Sequence, residues 1–379
     1  MSTAADSEIH WRPTKVEIDI AAFLRNVETV RAMLPSGSRL IAVLKADGYG
    51  HGAIPLARAC TRHHVAMIAV SLLEEAMALH EAAVDIPILV LGPLTDDQIA
   101  LAAEYEIVIG VTGPEMLETV TEVAKRRRRP VRIHLKLDSG MGRMGLVESD
   151  LAPATELLAH APFVQLDAIY SHYSTASDPS HPHAARQVAR FREMVGTLRE
   201  AGVSAPLEHM ANSAATVRSL VDPGSFVRVG MLLFGGESLD SGKSALEPVM
   251  RWTTRIARLK TLPTGSPVGY GATFVTERES RIATIPVGYA DGYPFRLSGN
   301  ADVLVRGQRA PIVGRVSMDL VTVDVSDVEG VALGDEVVLL GTQGDETISA
   351  EELAERSGTL AYEVLCGVGH RVPRTYIGG

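Results

Sequence analysis

Val65-Ala-Met-Ile-Ala-Val70 is an unbroken apolar run with no polar alternation. A strand of that kind is buried on both faces, as in a parallel sheet covered by helices. Similar runs recur at 40–45, 86–91, 106–111, 131–137, 163–170, 206–210 and 226–229, with amphipathic stretches between them. The clearest stretch, 184–200, carries Val188, Phe191, Val195 and Leu198 on one helical face. Nearer the start, Asp19 caps a helix with Phe23, Val27, Val30 and Leu34 on one face, and Pro35-Ser-Gly37 ends it. Eight strands alternating with helices over about 230 residues match an (α/β)8 TIM-type barrel, and are many for the rival open doubly wound sheet. The sequence therefore predicts an α/β barrel over residues 13–245, after a polar tail at 1–12.

A barrel places its chemistry at the carboxyl ends of its strands. The polar residues fall there. Lys45 ends the first run, and Lys136 and Asp138 end the fifth. His172 follows the sixth, His209 ends the seventh, and Arg228 lies at the end of the eighth. Beyond residue 246 the texture changes. Val321-Thr-Val-Asp-Val325 and Glu336-Val-Val-Leu-Leu340 are short runs bounded by glycines, the pattern of half-buried antiparallel strands. Ser349-Ala-Glu-Glu352 reads as a capping box before one short helix. A second, mostly β domain is expected over 246–379.

The net charge of -10 argues against a nucleic-acid partner, whose phosphates need basic surface. The basic run Lys125-Arg-Arg-Arg-Arg129 sits where a helix ends before Pro130, which suits the helix dipole and solvent. Cys60 and Cys366 have no partners at metal-ligand spacing, and no metal site is expected. With no signal peptide and no membrane-length apolar run, the expected setting is cytoplasmic, away from membranes.

The most informative polar stretch is Ile41-Ala-Val-Leu-Lys45-Ala-Asp-Gly-Tyr49-Gly-His-Gly52. A lysine at the end of a buried strand is half-buried, and burial disfavours its charge. A neutral amine there is able to form a Schiff base; the alternative is a lysine whose head snorkels to the rim. After the seventh run, Asn212 and Ser213 are good helix caps, and Gly230 opens a further short helix after the eighth. Barrels often hold phosphate with these two loops. Ser213, Gly230 and Met231 thus form a phosphate cup or, on the plainer reading, the starts of two capped helices. A reactive lysine, a phosphate cup and a fixed positive charge at Arg228 together suit a phosphate-bearing aldehyde, pyridoxal 5'-phosphate (PLP).

At this point the chain resembles the alanine racemases. The likeness is carried by Val43–Gly52, Lys136-Leu-Asp-Ser-Gly-Met-Gly-Arg143-Met-Gly145, His209-Met-Ala-Asn-Ser213, Gly269-Tyr270-Gly271, Pro286-Val-Gly-Tyr289-Ala-Asp-Gly-Tyr293, Gly314-Arg-Val-Ser-Met318-Asp319 and Arg371-Val-Pro-Arg374. It spans nearly the whole chain. The resemblance implies a PLP-dependent isomerase that interconverts L- and D-alanine, a cell-wall precursor. Lys45 would carry the cofactor and act as one base. Tyr49, Ser213, Gly230, Met231 and Tyr362 would hold its phosphate, and Arg228 would face its pyridine nitrogen. His172, His209 and Asn212 belong to the same cofactor-binding set. Tyr270 would come from the partner subunit as the second base, making a head-to-tail homodimer with shared sites. Arg143 and the partner's Met318 would bind the substrate carboxylate. Lys136 would be carbamylated and orient Arg143.

The chemistry suits those roles, because racemisation needs an acid–base group on each face of the reacting carbon. Taken one at a time, several of these residues have plainer readings. Tyr270 is then a surface aromatic in a glycine-rich turn, Lys136 a partner of Asp138, and His172 a satisfied barrel-top histidine. Tyr289 and Tyr293 are packing residues, His51 is structural, and His181 and His183 lie in a solvated loop. The chain also departs from the usual pattern at Asp47-Gly48, Phe274, Ser317 and the Ser-His-Tyr-Ser setting of His172, which leaves the substrate range open to serine and beyond. A PLP carrier has no need of Tyr270, and a related barrel decarboxylase wants an acid where Arg228 stands.

Overall fold

The computed structural model describes residues 12–236 and 246–379; the polar tail, apart from Arg12, lies outside them. Nine strands open the chain. These are β1 (Lys15–Asp19), β2 (Arg39–Val43), β3 (Met67–Val70), β4 (Ile88–Val90), β5 (Val108–Val111), β6 (Val131–Lys136), β7 (Val164–Tyr170), β8 (Leu207–His209) and β9 (Phe226–Val229). The last eight are the eight apolar runs. They form one parallel sheet in the order β8-β7-β6-β5-β4-β3-β2-β9. At its two ends the Arg228 N–H donates to Ala211 O at 2.9 Å, which nearly closes the barrel.

The helix Ile20–Met33 begins directly after Asp19 and buries Phe23, Val27 and Val30. The helix His183–Glu200 buries Ala184, Gln187, Phe191, Met194, Val195 and Leu198, the i, i+3, i+4 stripe of a helix packed on one face. Among the described residues, no helix is long and apolar enough to cross a membrane.

The chain divides into two compact units, Ala22–Glu247 and a second made of the residues up to Ala21 with Pro248–Gly379. The first segment of the predicted barrel therefore belongs elsewhere. Strand β1 pairs antiparallel with β10 (Met250–Arg255) and parallel with the strand Arg374–Ile377. Its residues alternate half-buried and buried, the period of a strand with one wet face. The expected strands are present: Val321–Asp324 pairs antiparallel with Ser280–Ile285, and Glu336–Gln343 pairs antiparallel with β10. Ser349 caps the helix Ala350–Ser357 by accepting the Glu352 N–H at 3.1 Å, while the Glu352 carboxylate turns to Arg309 and Arg356.

Candidate active site

The barrel gathers its polar side chains where its strands end. Strand β2 stops at Val43, Leu44 is buried, and Lys45 is exposed. This corrects the expectation of a half-buried lysine ending the strand. The turn that follows is left-handed, with φ of 53° at Ala46, 50° at Asp47, 62° at Gly48 and 54° at Tyr49. Such a run is costly for residues with a Cβ, and local bonds hold it. Ala46 N–H donates to Glu75 Oε1 at 2.5 Å, Asp47 Oδ1 accepts the Ala53 N–H at 2.7 Å, and His51 Nδ1 lies 3.0 Å from Gly48 O and 2.9 Å from Tyr49 O. His51 is structural here, and Asp47 has a definite task in the turn.

Tyr49 is buried and its ring packs 5.0 Å from Phe234. Its hydroxyl lies so close to Gly230 that a Cβ there would collide with it. The Gly230 N–H donates to Ser213 Oγ at 3.2 Å, and the short helix Met231–Phe234 follows. Tyr49, Ser213, Gly230 and Met231 are thus brought together into a small polar cradle. Asn212 holds the turn below it, accepting the Ala215 N–H at 3.0 Å and donating to Tyr173 O at 3.3 Å.

Beside the cradle lies Arg228, 4% exposed. Its guanidinium donates to Ser171 O at 2.7 Å and Met210 O at 3.1 Å, and meets His172 Nδ1 at 3.0 Å and, in a short contact, His209 Nδ1. No carboxylate pairs with it among the described residues. Burial pushes its pKa down to about 10. Arginine only donates, so both histidines accept through Nδ1 and are neutral. Burial, then the Arg228 charge, holds His172 at about 2 and His209 well below the ordinary range. His209 Nε2–H then donates to His134 Nδ1 at 3.2 Å. Burial and the same charge hold His134 at about 3, and its Nε2 has no partner among the described residues.

Tyr170 completes the floor. Its ring stacks on His209 at 5.0 Å, and Arg228 and Lys136 lie over it at 5.2 and 5.8 Å. The ring face stands where a counter-ion would otherwise be needed. Sequence reading passed over His134 and Tyr170. The available signal was their place one strand pair apart, with His134 two residues before Lys136 and so on the same side of β6.

Lys136 is 7% exposed and makes no ion pair among the described residues. Burial, then Arg143, Arg228 and, after a small opposing effect of Asp138, Lys45 bring its pKa down to about 8. Asp138 does not pair with it. Asp138 Oδ1 accepts the N–H groups of Gly140, Met141 and Gly142 at 2.9, 2.8 and 3.1 Å, tying the loop that ends in Arg143.

Tyr270, Met318 and Tyr362 belong to the other unit. Tyr270 is 72% exposed in a tight turn between Gly269 and Gly271, both at positive φ. Met318 is exposed, and its carbonyl accepts the Ala290 N–H at 3.0 Å while Ser317 O accepts that of Tyr289 at 3.1 Å. Tyr289 and Tyr362 are exposed, whereas Tyr293 is buried against Trp252 and is a packing residue.

Residues 18–238 match the model of the alanine racemase N-terminal domain, and residues 249–376 that of the alanine racemase C-terminal domain. Alanine racemase of Halothermothrix orenii is 38% identical over 373 residues, covering 97% of this chain and 98% of its own. The solved alanine racemase from Streptomyces coelicolor A3(2) superposes with a TM-score of 0.92 at 33% identity, over 99% of this chain and 100% of its own. That from the D-cycloserine producing Streptomyces lavendulae gives 0.91 at 36%, over 97% and 98%. This chain belongs to the alanine racemase family.

Proposed function

We propose that the protein interconverts L- and D-alanine, using PLP, in the cytoplasm, as a homodimer that supplies D-alanine for the cell wall. The observation that carries this reading is the buried, carboxylate-free Arg228 beside the Tyr49–Ser213–Gly230 cradle. A Cβ at Gly230 would fill the space beside the Tyr49 hydroxyl, as a close backbone approach to a ligand requires. The donors around it suit a phosphate, and a neutral ring nitrogen suits a guanidinium. When bound, PLP draws electrons from the amino acid and makes its α-hydrogen acidic.

The residues divide the remaining work. Lys45 would hold the cofactor through its exposed amine and would take or return the α-proton on one face. Tyr270 of the partner subunit does the same on the other. Ser213 and Tyr49, with the amides of Gly230 and Met231, hold the phosphate, and Tyr362 joins them. Arg228, which stays protonated, would face the pyridine nitrogen and favour its unprotonated form, so the bound group would draw electrons less strongly. His209, His172 and Asn212 orient these groups. Arg143 and the partner's Met318 receive the substrate carboxylate. Lys136, with its lowered pKa, is a ready amine for carbon dioxide: the N–C bond forms, a proton leaves, and the resulting anion orients Arg143.

Turnover of L-alanine, L-serine and other amino acids, with chiral detection, tests the reaction. D-alanine should form fastest, and Lys45→Ala should abolish it. Mixed Lys45→Ala and Tyr270→Phe subunits, once exchanged, should recover about a quarter of wild-type activity, because each hybrid dimer holds one intact site. No product from any amino acid would refute the function; no recovery after proven exchange would refute the shared site.

A further inference from the structure

His183 was expected in a solvated loop. It is instead half-buried at the first turn of the helix His183–Glu200. Its Nε2 lies 2.8 Å from Gly140 O, and since a carbonyl only accepts, that nitrogen carries the hydrogen. His181 Nδ1 accepts the His183 N–H at 3.1 Å and fixes the start of the helix. One turn further on is Gln187, fully buried. Its Oε1 accepts the Ser174 N–H at 2.9 Å and the Ser174 hydroxyl at 3.1 Å, and its Nε2 donates to His172 O at 2.9 Å. Residues four apart lie on one face of a helix. That face therefore grips two loops side by side, the one ending in Arg143 through His183 and the one carrying His172 through Gln187.

The two loops also meet directly, with Ser139 Oγ 2.8 Å from Ser171 Oγ. Gly140 has φ of 127°, and a Cβ on it would stand 3.1 Å from His183 Cε1 and 3.4 Å from Gln187 Cγ. The contact is therefore close as well as hydrogen-bonded. Asp138 Oδ1 gathers the amides of Gly140, Met141 and Gly142, which ties the loop from 138 to 142 together. A restraint at Gly140 O is passed to Arg143, which follows immediately.

We propose that His183 is a positioning residue for Arg143, and that the His183–Gln187 face sets the spacing between Arg143 and His172. The consequence for substrate rests on the reading of Arg143 as a carboxylate ligand; the clamp itself does not. The ring donates from Nε2 whether neutral or protonated, so the clamp is not a pH switch. A substrate contact held equally in ground and transition states affects KM rather than kcat. The two enantiomers have equal free energy in water, so kcat/KM must fall equally in both directions.

The experiment compares wild type with His183→Leu, which removes the donor, and His183→Gln, which keeps an N–H at similar reach, in the PLP-loaded protein. Amide hydrogen exchange over 138–143, measured without substrate, should be about tenfold faster in His183→Leu and restored in His183→Gln. KM for L- and D-alanine should rise about fivefold with kcat within about twofold, again restored by glutamine. If His183→Leu is poorly folded, His183→Phe serves instead, since it keeps an aromatic ring in place without a donor; the same faster exchange over 138–143 is expected. Unchanged exchange in a folded His183→Leu or His183→Phe protein overturns the clamp. Faster exchange with unchanged KM overturns the link to Arg143. A wild type that turns over no alanine refutes the function alone, because the exchange comparison needs no turnover.

Discussion

Arg228 and Arg309 place the same side chain in opposite settings. Arg309 lies on the β unit within reach of three carboxylates, Glu352 at 2.7 Å, Glu346 at 2.8 Å and Asp302 at 3.8 Å. Arg356 joins the group through Asp302 at 3.1 Å and Glu352 at 3.2 Å. Those partners raise the Arg309 pKa. Among the described residues Arg228 is buried with no carboxylate, beside neutral histidines, carbonyls and the face of Tyr170. Lys136 stands in the same uncompensated region. Arg309 and Arg356 are neutralised by carboxylates of their own unit. Arg228 and Lys136 make no ion pair among the described residues, whereas Arg132 on the same barrel pairs with Asp167 at 2.6 Å.

Replacing Arg228 breaks that contrast most severely. Arg228→Leu leaves Ser171 O and Met210 O without their donor and removes the group opposite the ring nitrogen. Racemisation in a steady-state assay should fall by at least about a thousandfold, with a loss of stability in denaturant titration of about 2–4 kcal/mol.

Lys136→Met is the intermediate case. The folded state lowers the pKa of this amine from 10.5 to about 8. Between those values the unfolded chain binds more protons than the folded one, so stability rises with pH through that window. Below about pH 8 the folded state bears the full penalty of a buried, charged amine. In carbon dioxide-free buffer at pH 7, Lys136→Met should therefore be more stable than wild type by about 2 kcal/mol. The gap should close as pH rises toward 10.5 in thermal denaturation. A gap that widened instead would show that the amine is not uncompensated.

The smallest effect is expected at the other pole. Arg309→Met removes one member of an exposed network and should cost about 0.5–1 kcal/mol of stability, less at high salt, with alanine turnover unchanged.

The same contrast marks what was legible in the sequence. The eight barrel strands were legible because burial on both faces leaves mainly apolar runs, with solvent-facing residues such as Gln165 only near a strand's start. The carboxyl-end residues Lys136, His209 and Arg228 stood out as polar residues ending such runs. The neighbours that set their chemistry did not stand out. His134 and Tyr170 are inside strands, where an aromatic ring reads as packing, and Gln187 lies on an apolar helical face. Their roles depend on atoms brought together across the barrel. Lys45 was placed one step too deep because the left-handed turn depends on Glu75 and Asp47 rather than on the strand before it. Strand β1 was missed although Lys15-Val-Glu-Ile-Asp19 alternates polar and apolar residues. Its partners, β10 and the strand Arg374–Ile377, lie more than two hundred residues away.

That last pairing has a consequence for how the protein is made. The unit Ala22–Glu247 is one continuous stretch, so it is able to form as soon as it has left the ribosome. Strand β1 precedes that unit in the chain, yet its edges are filled only by Met250–Arg255 and by Arg374–Ile377, which follow it. Until those two strands have emerged, a half-apolar ribbon with open hydrogen-bonding edges waits ahead of the barrel unit. That interval is when a chaperone has most to do.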